Sequence, residues 1–110
     1  MKQDMELKPQ IKEILNILQK VAPGKAVELR VPPYAAIQCR AGKSHRRGTP
    51  SNVVEMNGQT LITVFHNPSL WGELCLKGEI SASGQLSDLS EIFTKIGKLK
   101  PDMLRGNNGE

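Results

Sequence analysis

Two cysteines, two histidines and one run of cations are the residues of this chain with chemistry to offer. Cys39 could serve as a nucleophile if His45 or His66 stood beside it as a base. Yet Cys39 falls on the inward positions of an alternating segment and His45 in a segment with no apolar period, so Cys39 reads as a buried, inert thiol. Gly42-Lys43-Ser44 looks like the end of a phosphate-binding loop, but that motif needs a Gly at position 37, where this chain has Ile37. Ser81 and Ser83, beside Gly84, lack the Gly-x-Ser-x-Gly elbow of acyl transfer and read as solvent-facing residues of an edge strand. Two His, two Cys and scattered acids have neither helical nor knuckle spacing for a metal. The expectation is no catalytic residue, no metal and no cofactor.

What remains is charge and apolar surface. Lys and Arg number 15 against 11 Asp and Glu, and four of the cations, Arg40, Lys43, Arg46 and Arg47, lie together without an acid among them, so the rest of the chain is balanced. With His45 they form a candidate anion site, since Arg binds a carboxylate or phosphate bidentately. The competing reading is a solvated loop that keeps the protein soluble. Nucleic acid is disfavoured as the partner, because the aromatics Tyr34, Phe65, Trp71 and Phe93 all lie outside the basic run and cannot stack bases between its cations.

These residues need elements to position them. Ile11, Ile14, Leu15, Leu18 and Val21 make the stripe of an amphipathic helix over 8–22, with Pro9 in its first turn and Pro23-Gly24 ending it. Val27, Leu29 and Val31 alternate with Glu28 and Arg30, the pattern of a half-buried strand over 26–31. After Pro32-Pro33, residues 34–40 alternate again, predicting an antiparallel neighbour whose Ala35 and Ala36 leave room over the sheet. Residues 41–52 read as a loop and Val53–Met56 as a third strand. From Gln59 to His66 a short apolar helix is preferred, with a strand as competitor. Asn67-Pro68-Ser69 interrupts it and opens a second short helix that closes at Lys77-Gly78. Residues 79–83 form a fourth strand, and Leu86, Leu89, Ile92, Phe93 and Ile96 a last helix over 86–96 that stops at Gly97, leaving a polar, disordered tail over 98–110. The strands flanking the helix pair would be joined by a crossover connection. The fold class is α+β: a mostly antiparallel sheet with helices packed on one face.

At 110 residues the chain suits one domain, 1–110, with a single core and one modest ligand cavity, which excludes a two-domain enzyme. No run of about 20 apolar residues could span a bilayer. The start lacks a secretory apolar core, and two cysteines 36 residues apart make no disulfide framework, so the expected setting is the cytoplasm with reduced thiols.

In VELRVPPYAAIQC, RGTPSNVVE and SLWGELCLKGEISASG the sequence resembles the sterol carrier protein-like family, particularly its small stand-alone bacterial members. In that family a strand leads to two short helices, the second with an early Trp and a terminal Gly, then to a strand ending in Gly. Trp71, Gly78 and Gly84 hold those positions here, while Asn67-Pro68 stands where a Gly is common and Leu61 where an aromatic is common. The resemblance implies a curved sheet and helices enclosing an apolar tunnel or an open groove for a lipid, sterol or fatty-acyl ligand. It also points to the two short helices as the lining: Leu61, Ile62, Val64, Phe65, Leu70, Trp71 and Leu74, which otherwise read as core. The expected function is a non-catalytic carrier or binding protein for a hydrophobic small molecule. The alternatives are an accessory domain docking a protein partner, as in fused relatives, or anion or nucleic-acid binding through the basic loop.

Overall fold

Alternation along the strands decides which side of the sheet is covered. In the computed structural model, residues 2–42 and 52–108 are described, with side chains for 7–42 and 52–99. Val27, Leu29 and Val31 of β1 (Val27–Val31) are fully buried, while Arg30 between them is exposed. β2 (Ala35–Cys39) runs antiparallel to β1 in the register Leu29↔Ile37, as the Pro pair predicts. β3 (Val53–Met56) lies parallel to β1 on its other side, and β4 (Ile80–Ser83) antiparallel to β3, giving the order β2-β1-β3-β4. The sheet is thus mostly antiparallel with one parallel pair. That pair corrects the expected connectivity: the strands flanking the helix pair, β3 and β4, are antiparallel neighbours, and the chain crosses over β1 between β2 and β3 instead. A parallel pair requires such a crossover.

Helices cover the inner face. α1 (Lys2–Val21) packs on β2 and on α2 (Gly58–His66), and α4 (Ser90–Asn108) packs on both helices. The segment 59–66 is therefore helical, and its β-branched residues are outweighed by its cap: the Asn57 side-chain oxygen accepts from the Thr60 N–H at 2.8 Å. Gly58 has a packing reason, since a Cβ there would run into Ile11 of α1, with the Tyr34 ring 3.1 Å away. A 3-10 turn, Pro68–Leu70, separates α2 from α3 (Trp71–Leu76), so the second short helix begins at Trp71 rather than at the proline.

Both long helices exceed their predicted limits. α1 starts at Lys2, which puts Pro9 inside the helix rather than in its first turn; the residues before it, Lys, Gln, Met, Glu and Leu, are strong helix formers that offset one missing N–H. α4 begins at Ser90, where the Asp88 side chain accepts the Ser90 N–H at 2.9 Å, so Leu86 and Leu89 belong to the preceding turn. It continues through Gly97 to Asn108, across the segment expected to be a disordered tail. A helix-interior Gly costs only about 1 kcal/mol, less than the anchoring of Phe93 and Ile96, both fully buried, contributes. Lys43 to Ser51, most of the predicted loop, lie outside the described residues.

Candidate functional site

The two short helices bring their apolar residues to one place. Leu61 and Val64 of α2 are fully buried and Phe65 nearly so; Trp71 opens α3 at 6% exposure; Ile62, Leu70 and Leu74 are half-buried at the margin. The residue that joins the two helices comes from α4. Phe93 meets Phe65 edge-to-face with ring centres 6.3 Å apart, and lies against Trp71 at 6.1 Å, tilted by 36°. Such pairs add about 0.5–1.5 kcal/mol to their area burial. The result is a continuous row, Phe65, Phe93, Trp71, sandwiched among α2, α3 and α4. In sequence Phe93 is only one member of a helical stripe, and nothing in that spacing marks it as the centre of the aromatic row.

The row opens to the surface at its Phe65 end. There a groove of about 170 Å³ runs between α1 and α2, floored by Ile14, Ile17 and Phe65 and rimmed by Gln10, Glu13 and His66. A void of that size accommodates one ring or a short alkyl stem, not a whole lipid. The α1 residues of the groove carry no functional signal in sequence; they read simply as the apolar stripe and its polar flank. A second hollow, about 390 Å³ and shallow, lies over Arg30, Pro32, Pro33, Tyr34, Ala35, Ala36 and Glu55. The room predicted above Ala36 is therefore beside the exposed side chains of Arg30 and Glu55.

Of the five predicted anion-site residues, only Arg40 is among the described ones; Lys43, His45, Arg46 and Arg47 lie outside them. Arg40, the residue after β2, takes a left-handed conformation, φ 70°, and its Nη1 donates to the carbonyls of Leu86 and Asp88, each at 2.9 Å. Across the same turn, buried Asn52 donates its side-chain amide to the Ala26 carbonyl and accepts the Leu86 N–H, both at 2.8 Å. Both roots of the basic segment are thus clasped to the Leu86–Asp88 turn. Gly24 approaches this knot so closely that a Cβ would strike the Arg40 carbonyl, and its φ of 144° disfavours a side chain in any case.

Cys39 is fully buried, and desolvation pushes its thiol up from the ordinary 9.0 to about 11, the neighbouring Arg40 charge only partly opposing it. A thiol that stays protonated at neutral pH is a poor nucleophile. Burial also raises half-buried Cys75, with a smaller contribution from Asp88. His66 is exposed at the end of α2, edge-on to Phe65. Among the described residues no group of three or more His, Cys, Asp or Glu is placed to hold a metal ion, and no helix is long and apolar enough to cross a membrane.

The sequence profile of a family described as bacterial SCP ortholog matches residues 3–94. Five solved chains match the fold significantly. One is titled UbiJ-SCP2 Ubiquinone synthesis protein, and aligns over 87% of this chain and 89% of its own with a TM-score of 0.50 at 9% identity, a likeness of fold. No characterised protein sequence matches significantly.

Proposed function

The chain belongs to the sterol-carrier-protein-like family described as bacterial SCP orthologs, and from that premise we propose that it is a non-catalytic carrier or binding protein for a hydrophobic or amphiphilic molecule in the cytoplasm. The observation that carries this reading is the continuity between the groove and the aromatic row: Phe65 is at once the floor of the opening and the first ring of the stack that ends at Trp71. A ligand tail entering past Phe65 would displace ring contacts and replace them with its own apolar surface. Leu61, Ile62, Val64, Leu70 and Leu74 then line its path, and the half-buried members adjust first.

Burial alone supplies the affinity. An acyl chain hiding about 300 Å² gains roughly 7 kcal/mol gross at about 25 cal/mol per Å². Losses of ligand freedom and the cost of parting the rings leave binding near micromolar and weakly selective. An acidic head would be held by Arg40, Lys43, His45, Arg46 and Arg47. The reduced thiols Cys39 and Cys75 suit that compartment.

The test is a native mass spectrum of freshly purified protein with denaturing extraction of anything released, followed by titration with palmitate, cholesterol and a short-chain quinone, the last because the UbiJ-SCP2 neighbour is titled a ubiquinone synthesis protein. Trp71 is the single tryptophan, so its emission reports entry directly. A discrete bound amphiphile, or saturable change in Trp71 emission with any probe, supports the carrier. A clean mass of the free chain and no response to all three overturns it and turns the search to a protein partner.

A further inference from the structure

The two edges of the sheet are finished differently. Along β2 helix α1 and the residue after it cover part of the outer edge: Gln19 of α1 donates its side-chain amide to the Gln38 carbonyl at 3.3 Å, and just past the strand the Arg40 N–H donates to the Ala22 carbonyl at 2.6 Å. Along β4, among the described residues, β3 is the only strand partner, and no other backbone hydrogen bond reaches Ile80–Ser83. Ser81, Ala82, Ser83 and Gly84 are exposed. The strand is short, four residues, but carries no Lys, no Pro and no bulge, the other devices that ordinarily blunt a free edge. Ala82 shares its row with Val54 and Leu29 of the covered face, yet it is exposed, so the helix layer stops short of the middle of this strand. Beside it α3, which packs on β4, ends in Leu76 at 90% exposure, the most exposed large hydrophobic among the described residues.

We propose that β4 is a homodimer interface, in which a second copy adds its own β4 antiparallel to this one, joins the two sheets and covers Leu76 at the flank. A copy of this chain fits better than a foreign peptide. Peptides added to sheet edges gain specificity from pockets for alternate side chains, and Ser81, Ala82 and Ser83 form none. A two-fold pairing needs no pockets, since the same patch meets itself. Charge agrees. Residues 80–87 carry no charged side chain, so an antiparallel copy sets Glu79 against the partner's uncharged end and not against a second Glu79.

Sedimentation velocity of the full chain from low to high micromolar concentration tests this. The expected result is a reversible shift from 12.1 kDa to twice that mass, with hydrogen exchange of the Ala82 amide, which the register turns away from β3, slowing as the concentration rises. Ala82→Lys places a charge on the edge and Leu76→Glu one on the flank. Both positions are exposed, so circular dichroism of each variant should match the parent, and each should weaken dimerisation about tenfold or more. A chain that stays monomeric throughout overturns the proposal. So does a dimer that survives Ala82→Lys, or one whose Ala82 amide exchanges at the monomer's rate.

Discussion

The aromatic row and the polar clasp hold neighbouring parts of the molecule by opposite means. Phe65, Phe93 and Trp71 join three helices through ring faces and edges, contacts that tolerate sliding and replacement. Asn52 and Arg40 join both roots of the basic segment to the Leu86–Asp88 turn through directed bonds of 2.8–2.9 Å. Moving that turn would take the Leu86 N–H from the Asn52 side-chain oxygen and the Leu86 and Asp88 carbonyls from the Arg40 guanidinium. The difference shows where the fold can give way to a ligand and where it cannot. Entry at the Phe65 end exchanges one apolar contact for another, whereas entry at the clasp would strand polar groups.

Phe93→Ala should have the largest effect. The ring is fully buried and touches both other members of the row, so its loss should lower unfolding free energy by about 4 kcal/mol in urea titration and shift Trp71 emission towards that of exposed indole. Asn52→Ala comes next, at roughly 3 kcal/mol, because a donor and an acceptor lose their partner in a buried place. The two should separate in their ligand behaviour. Phe93→Ala should alter binding of an apolar probe, and Asn52→Ala should leave its affinity per folded molecule unchanged. If Asn52→Ala weakens apolar binding as much as Phe93→Ala does, the row and the clasp are one unit and the comparison fails.

Sequence periodicity carried the strands and the covered face well, because period-two alternation in Val27–Val31 and Ala35–Cys39 records directly which side chains meet the helices. It also located α2 and α3, through an apolar cluster broken by Asn67-Pro68-Ser69. Helix ends were less legible. Gly97 and Pro9 look like boundaries locally, but tertiary anchors at Phe93, Ile96 and Ile11 outweigh a cost of about 1 to 3 kcal/mol. The parallel β1–β3 pair was invisible for a related reason: a crossover is set by which neighbour each strand finds, and alternation is the same in either direction. At the site, Phe65 alone of the seven apolar residues that the resemblance points to borders the groove, and Phe93 and the α1 side of the groove carry no signal in sequence. Their spacing is that of any core stripe, and only packing shows that they meet Phe65. Arg40 and Asn52 looked like parts of a basic loop and a loop end; no periodicity encodes a clasp between residues 34 or more positions apart.

Cys39 provides a smaller effect, set by pH. Its thiol stands at about 11 in the fold against an ordinary 9.0, raised by burial. Below about 9 both folded and unfolded chains keep the proton and the group favours neither. Between 9 and 11 the unfolded chain ionises while the folded one does not, so stability should fall as pH rises through that window. Cys39→Ala should flatten the fall, apart from a constant loss for the smaller side chain. Urea midpoints for both proteins across this range decide it, and an undiminished fall in Cys39→Ala would mean that the thiol is not its source.

The least stability change is expected from Arg46→Ala with Arg47→Ala, and this pair sharpens the comparison most finely. Removing two cations of the basic segment should alter unfolding free energy by less than about 0.5 kcal/mol, the usual size for substitutions away from a core or a buried network, and it keeps Arg40 and Asn52, which root the segment. Binding should respond selectively. Palmitate should bind more weakly, and more so at low salt, where unscreened charge contributes most; cholesterol, held by burial alone, should bind as before. Equal losses for both probes would place the two arginines in the apolar path and remove the headgroup role. Equal retention would leave the aromatic row as the whole of the recognition.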